Sequence, residues 1–126
     1  MQVPELQWQA QMIPHFDYLL EDSQEAALLA GGQCIPVLLP RAERIVWHKL
    51  YSSTDSTRLA DKRGKDLTQA ATLAAVISEQ KAEALRRSFA TAPAALRAAA
   101  FAQRERLQTL LSAHPRTQAL FASLRR

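Results

Sequence analysis

Apolar positions along the chain change their spacing near residue 40. Upstream they come in short runs, Ala26–Ala30 and Cys34–Leu39, separated by Gly31-Gly32, and this pattern predicts two strands joined by a glycine turn. A helix ending at Gly31 competes for the first run. Asp22 and Glu25 are spaced as a capping box, and Ala-Ala-Leu-Leu favours helix. The hairpin is preferred, with Pro36 placing its second strand at a sheet edge or a bulge. Downstream the spacing turns helical. Pro40 suits a first helical turn, and Ala42, Ile45, Val46 and Leu50 form one stripe. After the polar segment Ser52–Thr57, a second helix is expected from about Asp61 to Phe89, with Ala70, Leu73, Ile77 and Ala84 on one face. Pro93 opens a third, with Leu96, Ala99, Leu107, Leu110 and Leu111 inward. His114-Pro115 resets the chain for a last helix carrying Leu120, Phe121 and Leu124. The fold class is therefore α+β and mostly α: a short hairpin on the N-terminal side, then a bundle of about four helices. It is read as one domain over residues 1–126, with strands and loops in 1–39 and helices in 40–126.

Two charged residues break this pattern. At 100° per residue Lys49 falls in the apolar stripe, three residues after Val46 and four after Ile45. Asp66 falls in line with Ala70, Leu73 and Ile77, with Lys62 one turn before it. Burying an unpaired charge costs several kcal/mol, so each needs a partner, a wet cleft or an anionic ligand. Two arrangements satisfy this. Lys49 and Asp66 can form an internal ion pair that ties two helices and does no chemistry. Alternatively, Lys49, Arg58 and Lys62 or Lys65 face a phosphate while Asp66 holds one of them in position. His48 projects beside Arg44 and Arg41 on a more polar face, and Trp47 and Tyr51, one turn apart, are packing residues or a stacking surface for a base.

Composition narrows the class. At 126 residues with 48% apolar and 22% charged side chains, the chain is ordinary globular material. No apolar run approaches the ~20 residues of a membrane span, and residues 1–10 lack the pattern of a signal peptide. One cysteine, Cys34, excludes an internal disulfide and a cysteine-rich metal site, which sets a cytoplasmic expectation. Charge is split. Residues 1–57 carry three basic groups and seven acids; residues 58–126 carry thirteen and five. The second part should attract phosphates, nucleotides or nucleic acid, and the first should not.

Residues 35–50, Ile-Pro-Val-Leu-Leu-Pro-Arg-Ala-Glu-Arg-Ile-Val-Trp-His-Lys-Leu, are followed by Arg58 and by Lys62-Arg-Gly-Lys-Asp-Leu-Thr-Gln-Ala. This order resembles a nucleotidyltransferase-fold family in the superfamily of DNA polymerase β and the minimal nucleotidyltransferases. The likeness covers residues 16–80 and is strongest over Pro40–Ala71. It implies that Lys49, Arg58, Lys65 and Asp66 line the helical side of a nucleotide cleft. A complete member of the family is expected to use Mg²⁺ and an NTP, with metal ions held by an Asp-x-Asp pair after a Gly-Ser turn. Here no two acidic residues are separated by one position, and Gly31-Gly32 is not followed by serine.

The leading expectation is thus the C-terminal helical portion of a nucleotidyltransferase-fold protein, catalytically incomplete alone, with no catalytic residue or metal site of its own. Its expected partners are a nucleotide, an upstream catalytic segment or partner chain, or further copies of itself, and no membrane. The alternative is a non-enzymatic basic helical module that binds nucleic acid or a protein, resting on Arg86, Arg87, Arg97, Arg104, Arg106, Arg116, Arg125 and Arg126.

Overall fold

A computed structural model describes residues 12–125 and, before them, the backbone of Gln2–Val3 and Trp8–Gln9. These two dipeptides, β1 and β2, pair antiparallel. The short helix α1 (Phe16–Leu20) follows, then β3 (Gln24–Ala30) and β4 (Gln33–Leu39). Next come the helices α2 (Ala42–Thr54), α3 (Ala60–Ala90), α4 (Ala94–Ala102) and α5 (Arg104–Leu110). The last, α6, spans Pro115–Ser123. Of residues 12–125, 65% are helical, as the spacing of the apolar residues predicts.

The β3–β4 hairpin forms as expected, slightly longer at both strand starts. Gly31 and Gly32 have φ of 55° and 75°, the pair of positive values that a type I′ turn requires and that only glycine adopts freely. Ala30 and Gln33 close this turn, so hydrogen-bonded pairs alternate from there and Ala27↔Pro36 is a non-hydrogen-bonded pair. Pro36 therefore costs no ladder bond, and its missing N–H falls on the outer edge of β4. The opposite edge, on β3, keeps the outward N–H and C=O groups of Glu25, Ala27 and Leu29.

The core lies between α2 and α3 and is closed by α4, α5 and α6. Val46, Trp47 and Leu50 of α2 are fully buried against Leu67, Ala70 and Ala74 of α3. The alanines let these two backbones approach closely. Trp47 packs at 4.9 Å on Phe89 and at 5.6 Å on Phe121, and its indole N–H donates to Ser88 Oγ at 2.7 Å. Packing explains Trp47 completely, and it offers no face to a base.

Several expectations need correction. Pro40 lies outside α2, whose N-cap is Arg41. The buried face of α3 runs through Leu67, Ala71, Ala74 and Ala75 as well as Ala70, leaving Leu73, Ile77 and Ala84 half-buried at its margin. Lys81 leaves helical geometry (φ −147°, ψ 51°), so α3 is two helical segments, and the second buries Leu85, Ser88 and Phe89. The helix expected after Pro93 breaks at Gln103 into α4 and α5. Leu110, expected inward, is exposed, whereas Leu107 and Leu111 are buried. Pro14 and His15 lead into α1.

Candidate functional site

The site is assembled by the turn between α2 and α3. The hydroxyls of Ser53 and Thr54 donate back to the carbonyls of Leu50 and Tyr51, competing with the helical ladder where α2 ends. Asp55 Oδ1 then accepts from the N–H and the hydroxyl of Thr57, at 2.9 and 2.7 Å, and the N–H of Arg58 donates to the Asp55 carbonyl. These bonds hold the exposed Asp55 carboxyl below its ordinary pKa. They also fix where Arg58 leaves the backbone.

Arg58 and Lys49 converge on Asp66. Lys49 Nζ donates to Asp66 Oδ1 at 2.7 Å, and Arg58 Nη2 lies 3.0 Å from Oδ2. The second contact is an ion pair without hydrogen-bond alignment, since Oδ2 receives no in-line donor. Asp66 is only 4% exposed, a burial that two cations offset. The cations are less enclosed: the Lys49 side chain is 34% exposed and that of Arg58 33%. Lys49 thus sits at the margin of the buried face of α2 rather than at its centre. Lys65, the fourth expected residue, is exposed on the first turns of α3 with no ion pair among the described residues, and Lys62 is exposed as well. The structure therefore joins three of the four expected residues and leaves Lys65 at their rim.

The neighbouring side chains of α2 face the N-terminal segment. His48 Nε2 donates to the Pro14 carbonyl at 3.0 Å, which places its proton on Nε2. Burial lowers the pKa of His48 below 6.5, against the opposing pull of that bond. Tyr51 meets the edge of His15 at 5.1 Å, a packing contact.

The donor set does not suit a divalent metal. Both oxygens of Asp66 face cations, and no group of three His, Cys, Asp or Glu side chains converges among the described residues. What the cluster can do is present two fixed cationic groups to an anion.

Projection missed Arg44. Placed on the polar face, it is buried: it stacks on Tyr18 at 4.5 Å, pairs with Glu21 at 2.8 Å and donates to the Tyr18 carbonyl at 2.9 Å. Its position three residues before Trp47, one turn along the same face, was the available signal. Burial pushes the Tyr18 phenol up to about 12, and its hydroxyl donates to the Ser88 carbonyl at 2.8 Å. The arginines of the C-terminal part do not form one free surface. Arg104 Nη2 donates to the carbonyls of Phe121 and Ala122, at 2.8 Å each, at the end of α6, and Arg86 donates to Ser123. Arg126 lies outside the described residues.

Fold and site together define a mostly helical protein with a hairpin between α1 and α2 in chain order and a fixed cation pair where α2 meets α3. Residues 2–94, about three-quarters of the chain, match a family model described as Nucleotidyltransferase, and the chain belongs to that family. The match includes Lys49, Arg58, Lys65 and Asp66 and ends at the first residue of α4. No curated protein and no solved structure matches the chain.

Proposed function

We propose that this chain supplies the helical, cation-bearing side of a nucleotide cleft in a nucleotidyltransferase. Arg58 takes phosphate oxygens through its planar fork, Lys49 acts as a compact point charge, and Lys65 adds positive charge at the rim. Asp66 is a positioning residue: it holds both cations and prevents them from splaying apart. The observation that carries this reading is that one buried carboxylate fixes two cations, each about one-third open to solvent.

The metal-binding strands come from another polypeptide segment, upstream in a longer chain or in a partner. Mg²⁺ and the NTP belong to that complete assembly, and this chain alone transfers no nucleotide. The absence of any Asp-x-Asp pair from the sequence supports the division. So does the β3–β4 hairpin. One face presents Leu28, Ile35 and Leu39, the other Leu29 and Leu38, and all five are exposed, Leu29 by 77%. Strands apolar on both faces belong inside a sheet covered on both sides. Pro36 interrupts the outer edge of β4, so an added strand pairs with β3. One unpaired cysteine and the absence of a membrane-spanning helix among the described residues accord with a cytoplasmic setting.

The test is a magnesium-free ATP titration of the full chain, followed by amide chemical shifts. Perturbations should centre on residues 49, 58 and 66. Lys49→Gln and Arg58→Gln should each weaken binding roughly tenfold while circular dichroism stays unchanged. Unaltered affinity in both variants would overturn the assignment.

A further inference from the structure

A second basic site stands apart from the Asp66 cluster. It is a polar cavity of about 480 Å³ between the segment after α1, the start of α2 and the second segment of α3. Four cations, Arg41, Arg44, Lys81 and Arg87, line it against two carboxylates, Asp22 and Glu43. Arg44 is already engaged by Glu21 and Tyr18, and the other three cations are not so held. None of Arg41, Lys81 and Arg87 makes an ion pair among the described residues. Arg41 Nε donates to the Asp22 carbonyl at 2.7 Å, which orients the guanidinium and leaves both Nη groups without a protein acceptor there.

Two features of the backbone converge on the same place. Arg41 is the N-cap of α2 and supplies no side-chain cap, so the positive end of a 13-residue helix opens beside the cavity. The break at Lys81 turns the second segment of α3 so that Lys81 and Arg87 both reach this lining. The four cations outnumber the carboxylates of Asp22 and Glu43 by two, an excess of positive charge on separate elements that a bound anion would offset. The hydroxyl-bearing residues Ser88 and Thr91 complete a polar wall, and no aromatic side chain lines the cavity. Such a site holds an oxyanion but has nothing on which to stack a base.

We infer that the cavity between α2 and the second segment of α3 binds a phosphate group, recognised through Arg41, Lys81 and Arg87 without base readout. The group comes from a free polyphosphate or from a nucleic-acid backbone, and both present the same oxygens. This inference does not depend on the role given to Lys49 and Arg58.

The experiment uses the full chain at low salt, titrated separately with inorganic pyrophosphate and with an eight-residue oligothymidylate lacking terminal phosphate, and followed by amide shifts. At least one probe should produce saturable shifts at residues 41–44 and 81–91. Arg87→Gln and Lys81→Gln should each weaken that binding roughly tenfold, and Lys49→Gln should leave it unchanged. Pyrophosphate alone saturating the site identifies a free polyphosphate; the oligonucleotide alone, with affinity falling steeply as salt rises, identifies a strand. No saturable shift at these residues with either probe, or undiminished affinity in both Arg87→Gln and Lys81→Gln, overturns the inference. Because Lys49→Gln separates the two sites, failure here is distinguishable from failure of the nucleotide cleft.

Discussion

Asp66 is the residue on which the site turns. Its carboxylate is nearly inaccessible, and its neighbours on α3 are Leu67, Ala70 and Ala71. Asp66→Asn keeps the shape and removes the counter-charge from Lys49 and Arg58. Breaking a buried pair costs about 3–5 kcal/mol, and the partial exposure of both cations lowers the expected loss to about 2 kcal/mol. Urea denaturation measures it directly; a loss below about 0.5 kcal/mol would show the cations to be solvated without Asp66. His48 gives a prediction in pH. Its folded pKa lies below the unfolded 6.5, so the unfolded chain binds the proton more readily. Its contribution to stability is present above pH 6.5 and is lost as pH falls through the folded value. Thermal melts between pH 5 and 8 should show that fall, and His48→Gln should flatten it. At this scale the sequence revealed Lys49 and Asp66, because both break an apolar stripe. It could not place Arg58, whose direction depends on the Asp55–Thr57 turn. It misplaced Arg44, because the aromatic ring of Tyr18 that receives it is 26 residues away.

Element boundaries were legible where local chemistry sets them. Gly31-Gly32 determine the hairpin, and Pro115 starts α6. The break at Lys81 was not legible, since Glu-Gln-Lys-Ala-Glu is good helical sequence and only packing of Leu85, Ser88 and Phe89 requires the turn. Leu110 was misread for the same reason: the break at Gln103 shifts the phase of α5. Two predictions belong here. Gly31→Ala meets no steric obstacle but must hold φ of 55°, which costs about 1 kcal/mol and raises hairpin opening about fivefold by hydrogen exchange. No change in exchange would mean that another turn type replaces the present one. Leu29 and Leu38 share one exposed face of the hairpin. If that face is built for a partner sheet, the isolated chain should self-associate at high concentration, and Leu29→Lys with Leu38→Lys should return it to monomer. Light scattering distinguishes the two; a wild-type monomer at millimolar concentration would contradict the docking role.

Across the whole molecule, family membership and the cation cluster point the same way. The matched region holds the cation cluster and the hairpin, its sequence has no Asp-x-Asp pair, and among the described residues no three His, Cys, Asp or Glu side chains converge. Not all of the positive charge beyond residue 57 is free for an anionic partner, because Arg104 closes the end of α6 and Arg86 is tied to Ser123. Other cations gather in two local groups, Lys49 with Arg58 and Arg41 with Lys81 and Arg87, which we propose to face phosphate. An ion cluster that only ties helices is replaceable by apolar residues of similar volume at little cost in stability. A triphosphate site is not. The decisive measurement is therefore ATP affinity in a Lys49→Met, Arg58→Met, Asp66→Leu triple variant whose unfolding free energy remains within about 1 kcal/mol of the wild type. Loss of ATP binding at preserved stability is the result expected if these three side chains serve a nucleotide; retained binding at preserved stability would reduce them to a tie between α2 and α3.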